Sequence, residues 1–376
     1  MDTTSSSPQF EAPVPPPPPP VLPPPSAPRP RKSRGWMIFA LVLLVLLGLS
    51  VLINVSQMFE SLFRVQGVRT QFAGPRLDEV LLENNHSANK IVVVPVDGII
   101  SSQMVDRGGN SRVEIIKAQL KRASRDSKVK AVLLKVDSPG GEVLASDEIA
   151  KALAEFQQKS GKPVIVSMGG LAASGGYYIS APCQWIVANE LTITGSIGVI
   201  MSAWNYRGLM NKVGLQPNVY KSGRYKDMLS GSRDPEQITP EERAMVQSLI
   251  DQTYARFKDV VAEGRKSAQE LNEAEGRTLV SDWSEYADGR VLSGKEAYDL
   301  GFVDELGNFD VAVKRAKTLA DIRNANLIEY RQRYDFGDLF GIFGESQSRV
   351  VKMDLGFEIP KLETGRLYFL HPDYTH

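Results

Sequence analysis

The stretch AVLLKVDSPGGEVLASDEIAKALAEF, residues 131–156, decides the fold. Ala131 to Val136 is a short, mostly apolar run that reads as a strand. Ser138-Pro139-Gly140-Gly141 ends it, because proline and glycine break regular structure. Glu142 to Phe156 then puts Val143, Ile149, Ala150 and Leu153 on one side at helical spacing. The order is strand, glycine turn, helix. It returns at PVIVSMGGLAASGGYY, residues 163–178, as a strand from Pro163 to Met168, a turn from Gly169 to Gly176 and a helix through Tyr178.

Working outward, IVVVPVDGII reads as a buried strand from Ile91, and Arg112 to Ser124 as a helix with Val113, Ile116 and Leu120 on one face. Pro240 to Ala262 is a long amphipathic helix. Its Pro-Glu-Glu opening suits a helix start, where a fixed φ and negative charge both help. Alternating strands and helices imply parallel crossovers and a layered α/β architecture.

The N-terminal part differs in kind. Thirteen of the 23 prolines precede Arg31, including the run Pro15 to Pro20. Such a segment cannot build a core and samples extended polyproline conformations. It reads as a solvated spacer or as a docking segment for a proline-binding cytoplasmic partner. Arg29, Arg31, Lys32 and Arg34 follow, and then WMIFALVLLVLLGLSVLINV from Trp36 to Val55 carries no charge. Twenty helical residues span about 30 Å, the thickness of a bilayer core. The basic cluster ahead of the span places the N-terminus in the cytoplasm and the rest of the chain outside it. The expected organisation is a proline-rich tail (1–35), a transmembrane helix (36–55), a juxtamembrane stalk (56–89), a catalytic domain (90–319) and a C-terminal extension (320–376). In that extension GDLFGIFG and GRLYFL are apolar patches. They could face the membrane, pack on a neighbouring subunit or occupy a substrate groove.

The composition bounds the chemistry. Lys+Arg and Asp+Glu are each 44, so the net charge is zero and a strongly basic nucleic-acid binder is not expected. A single cysteine, Cys183, excludes an intrachain disulfide or a multi-cysteine zinc site, and it reads as a small buried residue. No metal or cofactor is called for. Histidine occurs only at 86, 371 and 376, so chemistry between Ser87 and Leu370 has no imidazole. Both glycine turns open helices, whose first N–H groups lack intrahelical partners and can hold an oxyanion where no Cβ intrudes. Ser174 stands in the second turn. A nucleophilic serine needs a base, and without histidine that base is a lysine. Its amine must lose its proton well below the ordinary value of about 10.4, which burial can achieve. Lys135, Lys162, Lys221 and Lys226 lie near turn-like segments, and the residues alone do not choose among them.

Five ordered blocks carry a resemblance: DSPGGEVLASDEI, SMGGLAASGGYYISAPC, TGSIGVI, SGRYKDMLS and DGRVLSGKEAYDLGFVDELG. Together they resemble the short form of the signal peptide peptidase A family, membrane-anchored Ser/Lys proteases of the ClpP/crotonase-like fold. The resemblance covers about Lys90 to Leu319. It implies that Ser174 is the nucleophile, Lys226 the general base and Ser196 the residue that orients the lysine amine. It also implies an oxyanion hole made by Gly141 and the amide of Gly175. A charged carboxylate at Asp227 would oppose a neutral lysine beside it, so Asp227 is expected to point away. The resemblance further implies remnant signal peptides as substrates and a ring-like homo-oligomer, an octamer for the short form. The dyad could be built within one chain or between chains. Two other readings remain at this point, a crotonase-type acyl-CoA enzyme and a catalytically silent membrane scaffold.

Overall fold

In the computed structural model, residues 35–63, 74–104, 109–273, 275–332 and 368–370 are described. The proline-rich tail, the basic cluster and GDLFGIFG lie outside them. The chain divides into two units, 1–72 and 73–376. In the first, helix α1 (Gly35–Phe63) contains the apolar run. Met37 to Asn54 has a mean hydropathy of 2.8 and none of it is buried, so this helix is long and apolar enough to cross a membrane. The helix continues eight residues beyond Val55.

The second unit is built on strands β1 (Leu77–Glu83), β2 (Lys90–Asp97), β3 (Val129–Ser138), β4 (Gly140–Glu142), β5 (Val164–Ala172), β6 (Trp185–Ala188), β7 (Ile193–Gly195), β8 (Val291–Ser293), β9 (Glu305–Leu306), β10 (Asn326–Gln332) and β11 (Tyr368–Leu370). Its helices are α2 (Arg112–Arg125), α3 (Val143–Ser160), α4 (Gly175–Ser180), α5 (Arg207–Lys212), α6 (Pro240–Leu271), α7 (Gly294–Asp299) and α8 (Phe309–Leu319). The main sheet runs β1-β10-β2-β3-β5-β6-β9, and all its neighbours are parallel except the edge pair β1–β10. This is the layered, parallel-sheet α/β class read from the sequence.

Alternation along the strands creates two cores. On β2, Val92, Val94 and Val96 face the layer of α2, α3 and α4, where they meet Ile116, Leu120, Ile149, Leu153 and Tyr178. Ile91 and Val93 face the other way, with Leu133, Ile165 and Val187, against Ala312 and Ala316 of α8. Burial on both faces is why these strands read as continuous apolar runs. Helix starts are fixed locally. Ser111 with Glu114, and Thr239 with Glu242, form reciprocal capping boxes, and Pro240 occupies the first turn of α6. The second half of α6 packs on α4 through Phe257, whose ring meets Tyr178 edge-on at 4.9 Å.

Two segments read as lying outside the domain belong to the sheet. Leu77–Glu83, inside the expected stalk, pairs antiparallel with β10. β10 itself, inside the expected extension, pairs parallel with β2 and buries Leu327, Ile328 and Tyr330. The first was missed because an edge strand exposed on most of its length carries little apolar alternation. The second was missed because its partner is more than 230 residues earlier in the chain.

Candidate active site

The carboxyl ends of β3 and β5 deliver the two glycine turns side by side, the place where parallel α/β sheets put their ligands. After β3 the chain breaks at Pro139 and restarts as β4. Gly140 has φ +105°, a region a side chain rarely adopts. On one edge of β4, the amide of Ile100 donates to the carbonyl of Gly140 and the amide of Glu142 donates to the carbonyl of Ile100, both at 2.8 Å. By strand alternation the N–H and C=O of Gly141 then point to the opposite edge. A Cβ on Gly141 would lie 1.8 Å from the Ile100 carbonyl oxygen, so only glycine fits there. The opposite edge carries β11, which pairs antiparallel with Phe369 opposite Gly141.

Ser174 lies between β5 and α4 with φ +53° and ψ −116°. A strained, left-handed serine at a strand-to-helix turn is the kind of outlier that marks functional sites. Its amide donates to the carbonyl of Gly195 at 2.8 Å. Its side chain is 1% exposed, and Oγ is buried with no hydrogen-bond partner. A buried hydroxyl left unpaired costs about 1–3 kcal/mol, and such groups call for an explanation. Gly175 and Gly176 follow. A Cβ on Gly175 would meet Ser146 Oγ at 2.7 Å and the Gly141 nitrogen at 3.0 Å, so the two glycine turns are in contact beside Ser174. As the first residue of α4, Gly175 offers an amide with no intrahelical acceptor. Ser196, also left-handed and 4% exposed, follows the Gly195 that receives the Ser174 amide. The fold therefore gathers Ser174, Ser196, Gly141 and Gly175.

It does not gather Lys226 with them in one chain. Lys226 lies in a turn within the long segment between β7 and α6, its side chain is exposed, and no hydrogen bond joins it to Ser174. Asp227 turns away from it: its carboxylate accepts from Lys221 Nζ at 2.6 Å and lies 3.7 Å from Arg233. The hydrogen bond from Lys221 holds that carboxyl below its ordinary value. Lys221 is thereby occupied. Lys162 precedes β5 while Ser174 follows it, so the nine-residue strand separates them by about 30 Å. Burial lowers the Lys162 pKa, yet its amine closes α2 by donating to the carbonyls of Ala123, Ser124 and Asp126. Lys135 is exposed on β3. Cys183 is fully buried, as read.

Ile100, Ser138, Glu142 and Ser146 were not singled out from the sequence, although all touch the two turns. Ile100 is about 40 positions from its partner, and nothing local signals that pairing. Ser138 and Glu142 flank Pro139-Gly140-Gly141, and their position in that motif was the available signal.

The profile of peptidase family S49 matches residues 156–323, a span that includes Ser174, Ser196 and Lys226 but not Gly141. A protein of Enterococcus faecium named as a signal peptide peptidase SppA is 38% identical over 270 residues, covering 70% of this chain and 74% of its own. A protein of Methanocaldococcus jannaschii named as a protease is 36% identical over 308 residues, covering 81% of this chain and 88% of its own. Protease 4 of Haemophilus influenzae is 36% identical over 251 residues, which cover 66% of this chain and 38% of that longer protein.

Proposed function

The chain belongs to peptidase family S49 and is a serine peptidase of that family, and on that premise we propose that it works with a Ser174–Lys226 dyad completed between two copies of the chain. The observation that carries this reading is the pair of unmet needs at the site. Ser174 Oγ is buried without an acceptor, while Lys226 is exposed. The segment that bears Lys226 also exposes Trp204, Leu209, Val213, Leu215, Val219 and Tyr220. Apolar side chains exposed together mark a surface that a partner covers. A second copy seated there would bury them, strip water from Lys226 and bring its amine to a neighbouring Ser174. A ring-like homo-oligomer follows if the same contact repeats around a closed axis.

In the proposed reaction the Lys226 amine takes the Ser174 proton as Oγ attacks a peptide carbonyl. The amides of Gly141 and Gly175 hold the oxyanion, and Ser196 orients the amine. The protonated lysine passes its proton to the leaving amine, and water releases the acyl group by the reverse roles. The substrate lies extended and antiparallel along β4, in place of β11, which supports this mode by occupying the same edge. The proposed substrates are apolar remnants of signal peptides. Helix α1 would anchor the enzyme at the bilayer where such segments reside, and the basic cluster from Arg29 to Arg34 would keep its N-terminus in the cytoplasm.

The test uses two variants of the full chain, Ser174→Ala and Lys226→Ala, each purified alone and also co-expressed. Each alone should be inactive toward an apolar fluorogenic peptide, and a fluorophosphonate should label the wild type at Ser174. In mixed assemblies about one site in four should combine an intact serine with an intact lysine from its neighbour, so activity should reappear. Activity in either pure variant overturns the dyad. A mixture that stays inactive overturns its completion between chains.

A further inference from the structure

We propose that Ser138 and Glu142, the residues on either side of Pro139-Gly140-Gly141, are positioning residues that hold the Gly141 amide in register with Ser174. The inference rests on the reading of Ser174 as nucleophile. β4 is three residues long, too short to fix its own direction. It is tied at both ends by side chains that lie under it.

At the first end, Ser138 is fully buried. Its hydroxyl accepts from the Gly140 amide at 3.1 Å, and its carbonyl accepts from the Ala173 amide at 3.1 Å. One residue thus receives the amide that precedes Gly141 and the amide that precedes Ser174. The same carbonyl lies 2.9 Å from where a Cβ on Gly176 would be, so the nucleophile turn sits directly on it. At the second end, Glu142 is 5% exposed and its carboxylate accepts from the amide of Ser102 at 3.1 Å and from its hydroxyl at 2.5 Å. That clamp pins the stretch from Gly98 to Ser102 along the inner edge of β4, where Ile100 makes its two backbone hydrogen bonds. With the inner edge saturated, the Gly141 N–H is left to the outer edge and cannot rotate inward. Oxyanion stabilisation depends on the aim of the donor, and a misplacement of about 1 Å costs on the order of 100-fold in rate.

The experiment compares Ser138→Ala, Glu142→Ala, Glu142→Gln and Ser102→Ala in the full chain purified in detergent. It measures kcat and KM on an apolar fluorogenic peptide and inhibition by a peptide aldehyde, whose hemiacetal oxygen occupies the oxyanion hole. Ser138→Ala and Glu142→Ala should lower kcat roughly 10- to 100-fold, in line with a displaced oxyanion donor, with KM held within about twofold. Aldehyde affinity should fall by the same factor as kcat. Glu142→Gln keeps an oxygen that can accept from Ser102, and it should retain more activity than Glu142→Ala. Ser102 is exposed, so Ser102→Ala should fold and should show a smaller loss in kcat alone. If Ser138→Ala does not fold, the Glu142 and Ser102 variants decide the matter. A loss confined to KM, an unchanged aldehyde affinity, or equal damage in Glu142→Gln and Glu142→Ala would overturn the proposal. Ser174→Ala is assayed in parallel: activity there removes the nucleophile reading itself, a result distinct from any behaviour of the clamp variants.

Discussion

Replacing Gly141 by alanine tests the oxyanion geometry most directly. The new Cβ would stand 1.8 Å from the Ile100 carbonyl oxygen and 2.6 Å from its carbon, both backbone atoms. A carbon and a carbonyl oxygen settle no closer than about 3.3 Å, so β4 and the Ile100 segment must part by about 1.5 Å. That movement breaks the two hydrogen bonds between Ile100 and β4. At about 1 kcal/mol each, the stability loss is about 2 kcal/mol, a fall of a few degrees in Tm. The Gly141 amide moves by a similar distance, and loss of one oxyanion donor lowers kcat by about 10²–10³. The assay is steady-state hydrolysis of a fluorogenic peptide at a temperature where circular dichroism shows the variant folded. A peptide aldehyde reports the oxyanion hole separately. If Gly141→Ala keeps kcat within about threefold of wild type and binds the aldehyde unchanged, the amide of Gly141 is not an oxyanion donor.

Three further outcomes follow from the packing. Asp304 is buried against Arg265 and also accepts from the amide of Ile186, so Asp304→Ala strands a buried guanidinium and should cost about 3–5 kcal/mol in urea unfolding; a loss below about 1 kcal/mol would contradict this. Burial pushes the Cys183 thiol up to about 12, so a thiol reagent at pH 8 should leave the native protein unlabelled and react once denaturant opens it; fast native labelling would refute the burial. Burial alone would raise the Asp147 carboxyl, but hydrogen bonds from Lys151 and Tyr178 outweigh it and hold the group below its ordinary value. A depressed carboxyl stabilises the fold fully above its unfolded value of about 3.9, and that contribution disappears as pH falls through the lower folded value. Asp147→Asn should therefore be less stable than wild type by about 1–2 kcal/mol at pH 7, with the gap narrowing below about pH 4; a gap independent of pH would show that the charge is not involved.

Local chemistry made much of this protein legible. The runs at Ile91, Ala131 and Pro163 were legible as strands, because short, mostly apolar runs bounded by turn residues suit a sheet covered on both faces. The Pro240-Glu241-Glu242 start announced α6, since a fixed φ and negative charge in the first turn are written in adjacent residues. The glycine turns were legible for the same reason, although the first does not open a helix directly: Gly140 and Gly141 form β4, and α3 starts only at Val143. Glycine is demanded where a Cβ would strike backbone, as at Gly141, or where φ is positive, as at Gly140. What stayed hidden is long-range. β10 was invisible because Asn326, Glu329, Arg331 and Gln332 leave it little apolar run and its partner lies at the other end of the domain.

The sequence by itself determined the layered α/β class, the apolar N-terminal helix, the glycine turn that holds Ser174 and the absence of histidine between Ser87 and Leu370. Each of these is a matter of residue type and spacing along a few turns of chain. Only the tertiary structure decided that Ile100 flanks Gly141, that Ser138 joins the two turns and that Asp227 pairs with Lys221. It alone decided that Ser174 is buried without a partner while Lys226 is exposed. The reason is physical. Burial and hydrogen-bond partnership belong to the packed arrangement of segments distant in the chain, and no local pattern of residues encodes which of them will meet.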